Sequence, residues 1–360
     1  MADGDIRLVS ARPTIRVDGQ EFPLLSSNIT RMRMREAVGG MSSLELSFVD
    51  WLSQENGEAS YGATSGSPLK LGARIKLYAG EALGPQEIFD GLITALEGEG
   101  GTDGPPTFTI LAEDSLWKAR RTRKSRTFED MSPADLVSRI AGDYGLTPQT
   151  RDGLDQPVRT WAQMNESDLA FLRRVLEPLD ADLQVVGGDL QAGPVGREAR
   201  VQVELRLGGT LVRARVTADL ADQATKVVVP SFDPATGDAV SGEATAGDYG
   251  PGHGRRGAQL LQQAVGEVAE RIGTRQPMTQ GEAGRLARAA FSRRARRFVR
   301  VDATAQGDAR IRVGTWAAVS GLNPMFANTY VVTEAVHRFD AATGYLTDFI
   351  GESAWLGEPA

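Results

Sequence analysis

Alternation of apolar and polar residues with period two constrains this chain more than any other feature. In ITRMRMRE, Met32 and Met34 fall on one face and Arg31, Arg33 and Arg35 on the other. SLELSF sets Leu44, Leu46 and Phe48 against Glu45 and Ser47, and ARIKLY repeats the pattern with Ile75 and Leu77. Side chains alternate across a strand, so each run predicts a strand with one buried face. IFDGLITALE and TFTILAED supply two more. In TIRVDGQEF, the pair Asp18-Gly19 suits the positive φ angles of a tight hairpin. Short strands at this spacing, divided by turn residues, predict a sandwich or barrel. The stretch Ser53 to Pro68 reads as a long polar loop.

The segment WAQMNESDLAFLRRVLEPLDADL, Trp161 to Leu183, interrupts the alternation and reads as one amphipathic helix. Asn165 is the expected N-cap, with Asp168 three residues on. Leu169, Leu172, Val175 and Leu176 form the apolar stripe with Phe171 beside it, and Pro178 stops the helix. Upstream, SPADLVSRIAGDYG offers Ser132 as N-cap, Pro133 at the first position, Asp135 at the third and Gly145 past the end. Downstream, DLQVVGGDLQAG reads as a small hairpin. Strands then return in VQVELRL, with Val201, Val203, Leu205 and Leu207 on one face, and in GTLVRARVTADL and TKVVVPSFD. A loop rich in Gly, Ala and Asp is expected to run to residue 256 or so. Two helices follow, AQLLQQAVGEVAERI and EAGRLARAAFSRRARRF. The end is β again, in RIRVGTWAAVSGL, YVVTEAVHRFD, a turn at Ala341 to Gly344, and YLTDFIGES. GARIKL and GTWAAV each open on glycine and each precede another strand, which hints at two similar β domains flanking the insert.

Composition narrows the function classes. The net charge of −7 argues against nucleic-acid binding by the chain as a whole. The absence of cysteine excludes disulfides and thiolate metal sites. No apolar run approaches the ~20 residues of a membrane-spanning helix, and MADGDIRLVSARP lacks the apolar region of a secretory signal. The only histidines, His253 in a glycine loop and His337 on a late strand beside Ala335 and Phe339, read as surface or structural residues. GHGRRG, Gly252 to Gly257, fits G-x-G-x-x-G, but a loop precedes it where a dinucleotide site needs a strand. The basic runs Trp117 to Phe128 and EAGRLARAAFSRRARRF could grip phosphates. They read first as solvated or salt-bridged faces, and otherwise as surfaces that meet the acidic face of a neighbouring copy. Asp180 and Asp182 read as an exposed pair near a turn rather than a glycosidase pair. No catalytic, cofactor-binding or metal-ligating residue is assigned, and no enzyme is expected.

FDGLITALE, DSLWKARRTRKSRTF, SPADLVSRIAGDYGL, the segment Trp161 to Leu183, Arg293 to Leu322 and Asn328 to Phe349 occur in an order that resembles the phage late control D family. Its members are baseplate hub proteins of contractile phage tails and related injection systems. The resemblance implies a mainly β chain with an α+β insert: a first tube-like β-barrel domain at 1–118, a small helix-containing domain at 119–195, and a second tube-like barrel at 196–360 with a helical insertion near 256–298. It further implies a homotrimer whose six barrels adapt a sixfold tail tube to a threefold spike. The implied partners are the spike protein, the tube or tube initiator, the tape measure and baseplate wedge proteins. The implied location is the baseplate of a phage tail or injection particle, after synthesis in the cytoplasm. Type VI secretion spikes resemble this family but continue into an oligosaccharide-binding barrel and a β-helical needle. No such extension follows Ala360, so the spike is expected to be a separate protein. The alternative is a peptidoglycan-binding or cell-wall-acting tail protein.

Overall fold

A computed structural model describes residues 12–50, 52–53, 59–60, 67–79, 84–102, 104–274 and 277–358. The first β unit runs through β1 (Thr14–Val17), β2 (Gln20–Glu21), a short helix α1 (Pro23–Ser27), β3 (Ile29–Ala37), β4 (Ser43–Val49), the paired β5 (Leu52–Ser53) and β6 (Ala59–Ser60), β7 (Arg74–Ala79), β8 (Gln86–Glu99) and β9 (Thr107–Asp114). Its main strands lie in the order β3-β4-β9-β8-β7-β1-β2, all antiparallel. The alternation in the sequence decides which faces are buried: Met32, Met34, Leu44, Leu46, Ile75 and Leu77 share one core. Asp18 and Gly19, with φ of 48° and 84°, make the turn that sets Val17 against Gln20. The polar loop expected at Ser53 to Pro68 falls largely outside the described residues.

Gly91 marks the tightest point of this unit. A Cβ there would lie 2.2 Å from the Glu113 carbonyl oxygen and 2.7 Å from the Phe89 ring. Gly91→Ala must therefore part β8 from β9, and a stability loss of about 2 kcal/mol is expected in urea denaturation.

The insert comprises α2 (Leu116–Arg121), β10 (Arg123–Met131), α3 (Pro133–Asp143), β11 (Thr147–Thr150), β12 (Arg159–Ser167), α4 (Asp168–Leu176), a 3-10 turn at Glu177–Leu179, β13 (Ala181–Val186) and β14 (Asp189–Pro194). Trp161 to Leu183 is thus strand, helix and strand, not one helix. Asn165 stays in the strand, and Ser167 caps α4 by accepting the Ala170 N–H. The reason lies in the flanks. Trp161 and Gln163 alternate inward along β12 and pair with β10, and this pairing outweighs helix propensity. The stripe Leu169, Phe171, Leu172, Val175 and Leu176 is buried as expected, with Phe171 stacked 5.3 Å from Phe128. Ser132 and Asp135 form the expected capping box on α3.

The second β unit holds β15 (Gln202–Arg206), β16 (Leu211–Ala218), β17 (Lys226–Phe232), β18 (Ala239–Ala244), β19 (Arg255–Arg256), α5 (Gly257–Val265), β20 (Ala269–Arg271), α6 (Gln280–Arg296), β21 (Val299–Gln306), β22 (Trp316–Ser320), β23 (Thr329–Asp340), β24 (Gly344–Ser353) and β25 (Trp355–Leu356). Three expectations change here. The loop expected up to about residue 256 contains β18, paired along β17. The helix AQLLQQAVGEVAERI stops at Val265, where Gly266 turns to φ 84°, and its last residues form β20. Leu207 lies exposed just past β15. The small residues Ala283 and Ala287 let α6 approach so closely that a Cβ on Gly242 would meet the Ala283 backbone at 2.1 Å.

The two β units repeat one topology. Strands β3-β4-β9-β8-β7-β1 correspond in order and sequence position to β16-β21-β24-β23-β22-β15. The correspondence extends to detail. The Gly72 N–H donates to the Ile93 carbonyl and Ile93 donates back to Ala73; Gly314, Val332 and Thr315 reproduce this loop of bonds. Both long strands bulge one residue later, at Thr94 and Thr333. Each threonine hydroxyl reaches the carbonyl of its counterpart, Leu111 or Ile350, at 3.4 Å. The pairings differ in direction at one end: β1 runs antiparallel to β7, whereas β15 runs parallel to β22. The units join where β3 adds to the far half of β23, making one 13-stranded sheet.

Candidate assembly surfaces

The joint between the units is built from β3 and β23, whose partners run from Ala37↔Glu334 to Arg31↔Asp340. Its inner face carries charge. Glu36, fully buried, pairs with Arg312 at 2.5 Å and accepts the Val313 N–H at 2.6 Å. Burial alone would raise the Glu36 carboxyl, but the Arg312 and Arg200 guanidinium groups and its hydrogen bonds outweigh it and hold it below the usual range. His337 lies on the same inner face, and its Nδ1 shares a hydrogen bond of 2.7 Å with the Tyr345 hydroxyl. Burial, aided by the Arg312 charge, lowers this imidazole to about 4. Asp114 accepts the N–H groups of Ser42 and Leu116, yet burial pushes its carboxyl up to about 6. On the outer face Arg35 bonds Glu334 at 2.8 Å.

The basic runs are largely spent inside the molecule. Lys124 and Arg126 of β10 both reach the buried Asp168, which also receives the Tyr144 hydroxyl at 2.6 Å and the Gln163 amide at 2.8 Å. Burial would raise Asp168, but these bonds and the Arg126 charge hold it low. Arg120 pairs with Glu113, and Arg121 lies over the Trp117 ring. On α6, Arg294 pairs with Glu270, and Arg293 and Arg296 converge on Asp180. Asp180 and Asp182 are therefore not an exposed pair. Asp180 is buried under the two arginines, and Asp182 accepts the Gly39 N–H at 2.6 Å and the Gln184 amide at 3.0 Å. Both arginines that cover Asp180 sit more than a hundred residues away in the chain, which is why spacing alone suggested exposure.

The other candidates separate. The His253 backbone is pinned by Asn328, through bonds of 3.1 Å and 2.9 Å, far along the chain from the buried His337 joint. In GHGRRG, Gly252 and Gly254 hold φ of 123° and 114°. Side chains there would strike Trp355 and the Leu356 backbone, so these glycines admit the strand β25 rather than a phosphate. Among the described residues, no group of three His, Cys, Asp or Glu is placed to hold a metal ion. No helix among them is long and apolar enough to cross a membrane.

Among the open strand edges of the described residues, two belong to strands that correspond to the pair joining the units. β16 pairs only with β21, and residues 95–99 of β8 pair only with β9. Both edges are exposed, with Leu96 and Val212 among the exposed large apolar side chains. No short sequence motif marks them, since a free edge is defined by which distant strand fails to cover it.

With this geometry in hand, comparison with known proteins is decisive for the family. The family model described as "Alg8 N-terminal domain" matches residues 8–340. The chain belongs to the Alg8 N-terminal domain family. Among curated proteins, this Alg8 N-terminal domain chain is similar to the type VI secretion system spike protein VgrG1b of Pseudomonas aeruginosa, with 24% identity over 152 residues, 41% of this chain and 19% of the relative. A second spike protein of that organism, VgrG1c, is 23% identical over the same length. The chain spans about a fifth of the length of the curated relatives it matches. Among solved structures, the tail protein from Neisseria meningitidis superposes with a TM-score of 0.69 at 10% identity, covering 96% of this chain and 97% of that one. The 43 kDa tail protein of prophage MuSo2 from Shewanella oneidensis gives 0.68 at 12% identity, covering 94% and 97%. The E. coli c3393 protein, a component of the type VI secretion system, gives 0.59 at 11% identity, covering 96% and 79%. The resemblance read from the sequence is borne out, and the mainly β, tail-tube-like fold is that of phage tail and spike-associated proteins.

Proposed function

We propose that this chain is a structural baseplate hub of a contractile tail or injection particle. In this reading three copies close into a ring of six β units that adapts a sixfold tube to a threefold spike. The single observation that carries it is the doubled six-strand unit, because a chain holding two near-equivalent units presents sixfold contacts on one side with threefold chain symmetry. The likeness to tail proteins and to relatives named as spike proteins supports the same assignment. The domain division proposed is 1–118, 119–195 and 196–360, with the insert decorating the first unit. The role is mechanical and no catalytic step is assigned to it. The proposed partners are the spike protein, the tail tube or its initiator, the tape measure and baseplate wedge proteins. The chain would be made in the cytoplasm and end in the assembled baseplate.

Electron-microscopy class averages of the purified chain mixed with a spike protein from the same genome test this. The expected particle is threefold, with a central lumen and six lobes. Single copies that never join the spike would overturn the hub reading, and a peptidoglycan pull-down would then decide the cell-wall alternative.

A further inference from the structure

The internal repeat assigns a partner to the open edges of β16 and β8. Within the chain, β3 of the first unit covers the far half of β23 in the second. The repeat makes β16 the counterpart of β3, and β8 the counterpart of β23. The same joint can therefore form once more, but only between copies. We propose that β16 of one copy pairs antiparallel with residues 95–99 of β8 in a second copy, in the register the β3·β23 joint already displays.

The register follows from matched positions. The Thr94 and Thr333 bulges align Ala95 with Glu334 and Glu99 with Arg338. A second pair of bulges aligns β3 with β16, because the register shifts between Ile29 and Arg31 on one strand and between Leu211 and Arg213 on the other. Arg31 then matches Arg213, Arg33 matches Arg215 and Arg35 matches Thr217. Transferring the pairs Ala37↔Glu334, Arg35↔Val336 and Arg33↔Arg338 gives Asp219 opposite Ala95, Thr217 opposite Glu97, and Arg215 opposite Glu99 of the second copy.

Charge and burial favour this occupant. The transferred register sets Arg215 against Glu99 with Glu97 two pairs away on the same face, whereas opposing like charges would penalise it. On the inner face, Leu96 meets Ala218 and Val216. These residues are partly or fully exposed in the single copy, although their counterparts Ala335, Glu36 and Met34 are buried. Unpaired main-chain groups on both edges gain partners in the same step. The contact is head-to-tail, since each copy gives one edge and receives on another, so it propagates until a ring closes. The joint deepens the hub reading and rests on it only for the number of copies in the ring.

The chain has no cysteine, so a disulfide across the joint reports without background. The Val38 N–H donates to the Thr333 carbonyl, and bonded positions alternate along an antiparallel ladder. Arg35·Val336, and hence Thr217·Glu97, is then a non-hydrogen-bonded pair, whose Cβ atoms approach closely enough for a disulfide. The double variant Thr217→Cys/Glu97→Cys is oxidised and read by non-reducing gel and native mass spectrometry. The control Thr217→Cys/Gly101→Cys lies four places out of register. Thermal melts of the reduced proteins confirm that both fold. The expected result is a covalent species of three copies from the first pair and none from the control. Three-copy assemblies that do not cross-link would overturn this joint and leave the hub reading standing. A covalent ladder of open oligomers would keep the joint and overturn the threefold ring. Single copies under all conditions, with the spike present, would overturn both.

Discussion

Replacing Arg296 by alanine is expected to remove about 3 kcal/mol of folding stability, because it leaves the buried Asp180 with only Arg293 at 3.2 Å and Glu352 with only Arg297 at 3.7 Å. Arg296 ends α6 with 7% of its side chain exposed. Its two terminal nitrogens donate to Asp180 at 2.6 and 3.0 Å, and its Nε donates to Glu352 at 3.1 Å. The same Nη1 also reaches the Val195 carbonyl at 3.2 Å. One guanidinium thus ties the end of the insert helix to the strand β24 and to the chain leaving the insert. Arg296→Lys should recover only part of the loss, since an ammonium cannot hold one carboxylate with two parallel bonds and a second with its Nε. Asp180→Ala should cost a similar amount, and the double variant clearly less than the sum. Urea denaturation with an unchanged m-value is the measurement. Additive single losses would show that the pair is not a coupled unit.

Much of this fold was legible in the sequence because sheets write their burial with period two. Met32 and Met34, Leu44 and Leu46, and Ile75 and Leu77 all point where alternation put them. The same rule applied to WAQMN would have separated β12 from α4: Trp161 and Gln163 are buried while Met164 is exposed. The strong stripe of α4 drew that strand into the helix. The assembly edges were not legible. The repeat survives in bulges, glycine turns and a few like residues such as Thr94 and Thr333, because main-chain geometry is kept by many side-chain choices. Asp180 was misread for a related reason. Its burial depends on arginines that only the folded chain brings near.

Acidity should act on folding through two buried groups of opposite sign, His337 in the β3·β23 joint and Asp114 at the end of β9. His337, ordinarily near 6.5, is held at about 4 by burial, so between these values the unfolded chain binds more protons and stability is lost as pH falls. Asp114, ordinarily near 3.8, is raised to about 6, so over that window the folded chain binds more protons and stability is lost as pH rises. Displacements of this size each correspond to about 3 kcal/mol, so the two slopes largely cancel between pH 4 and 6. Removing one group exposes the other. His337→Gln should become less stable from pH 4 to 6 relative to the native chain. Asp114→Asn should become more stable over the same range. Denaturation midpoints across that pH range for the three proteins measure the slopes, and parallel profiles would refute the opposition.

The charge buried at the joint has a mechanical corollary. Glu36 has Ala218 as its counterpart on β16, and Lys70 occupies the place of Arg312: the Lys70 carbonyl accepts the Ala73 N–H as the Arg312 carbonyl accepts that of Thr315. The seam within a chain is therefore riveted by a desolvated ion pair, and the seam proposed between chains would have no such rivet. A ring assembled from this chain would alternate stiff and compliant seams. Under strain it would behave as three rigid plates on three hinges rather than as six equal staves. Added salt screens exposed charges far more than buried ones, so it would loosen plates from one another before it bent any of them.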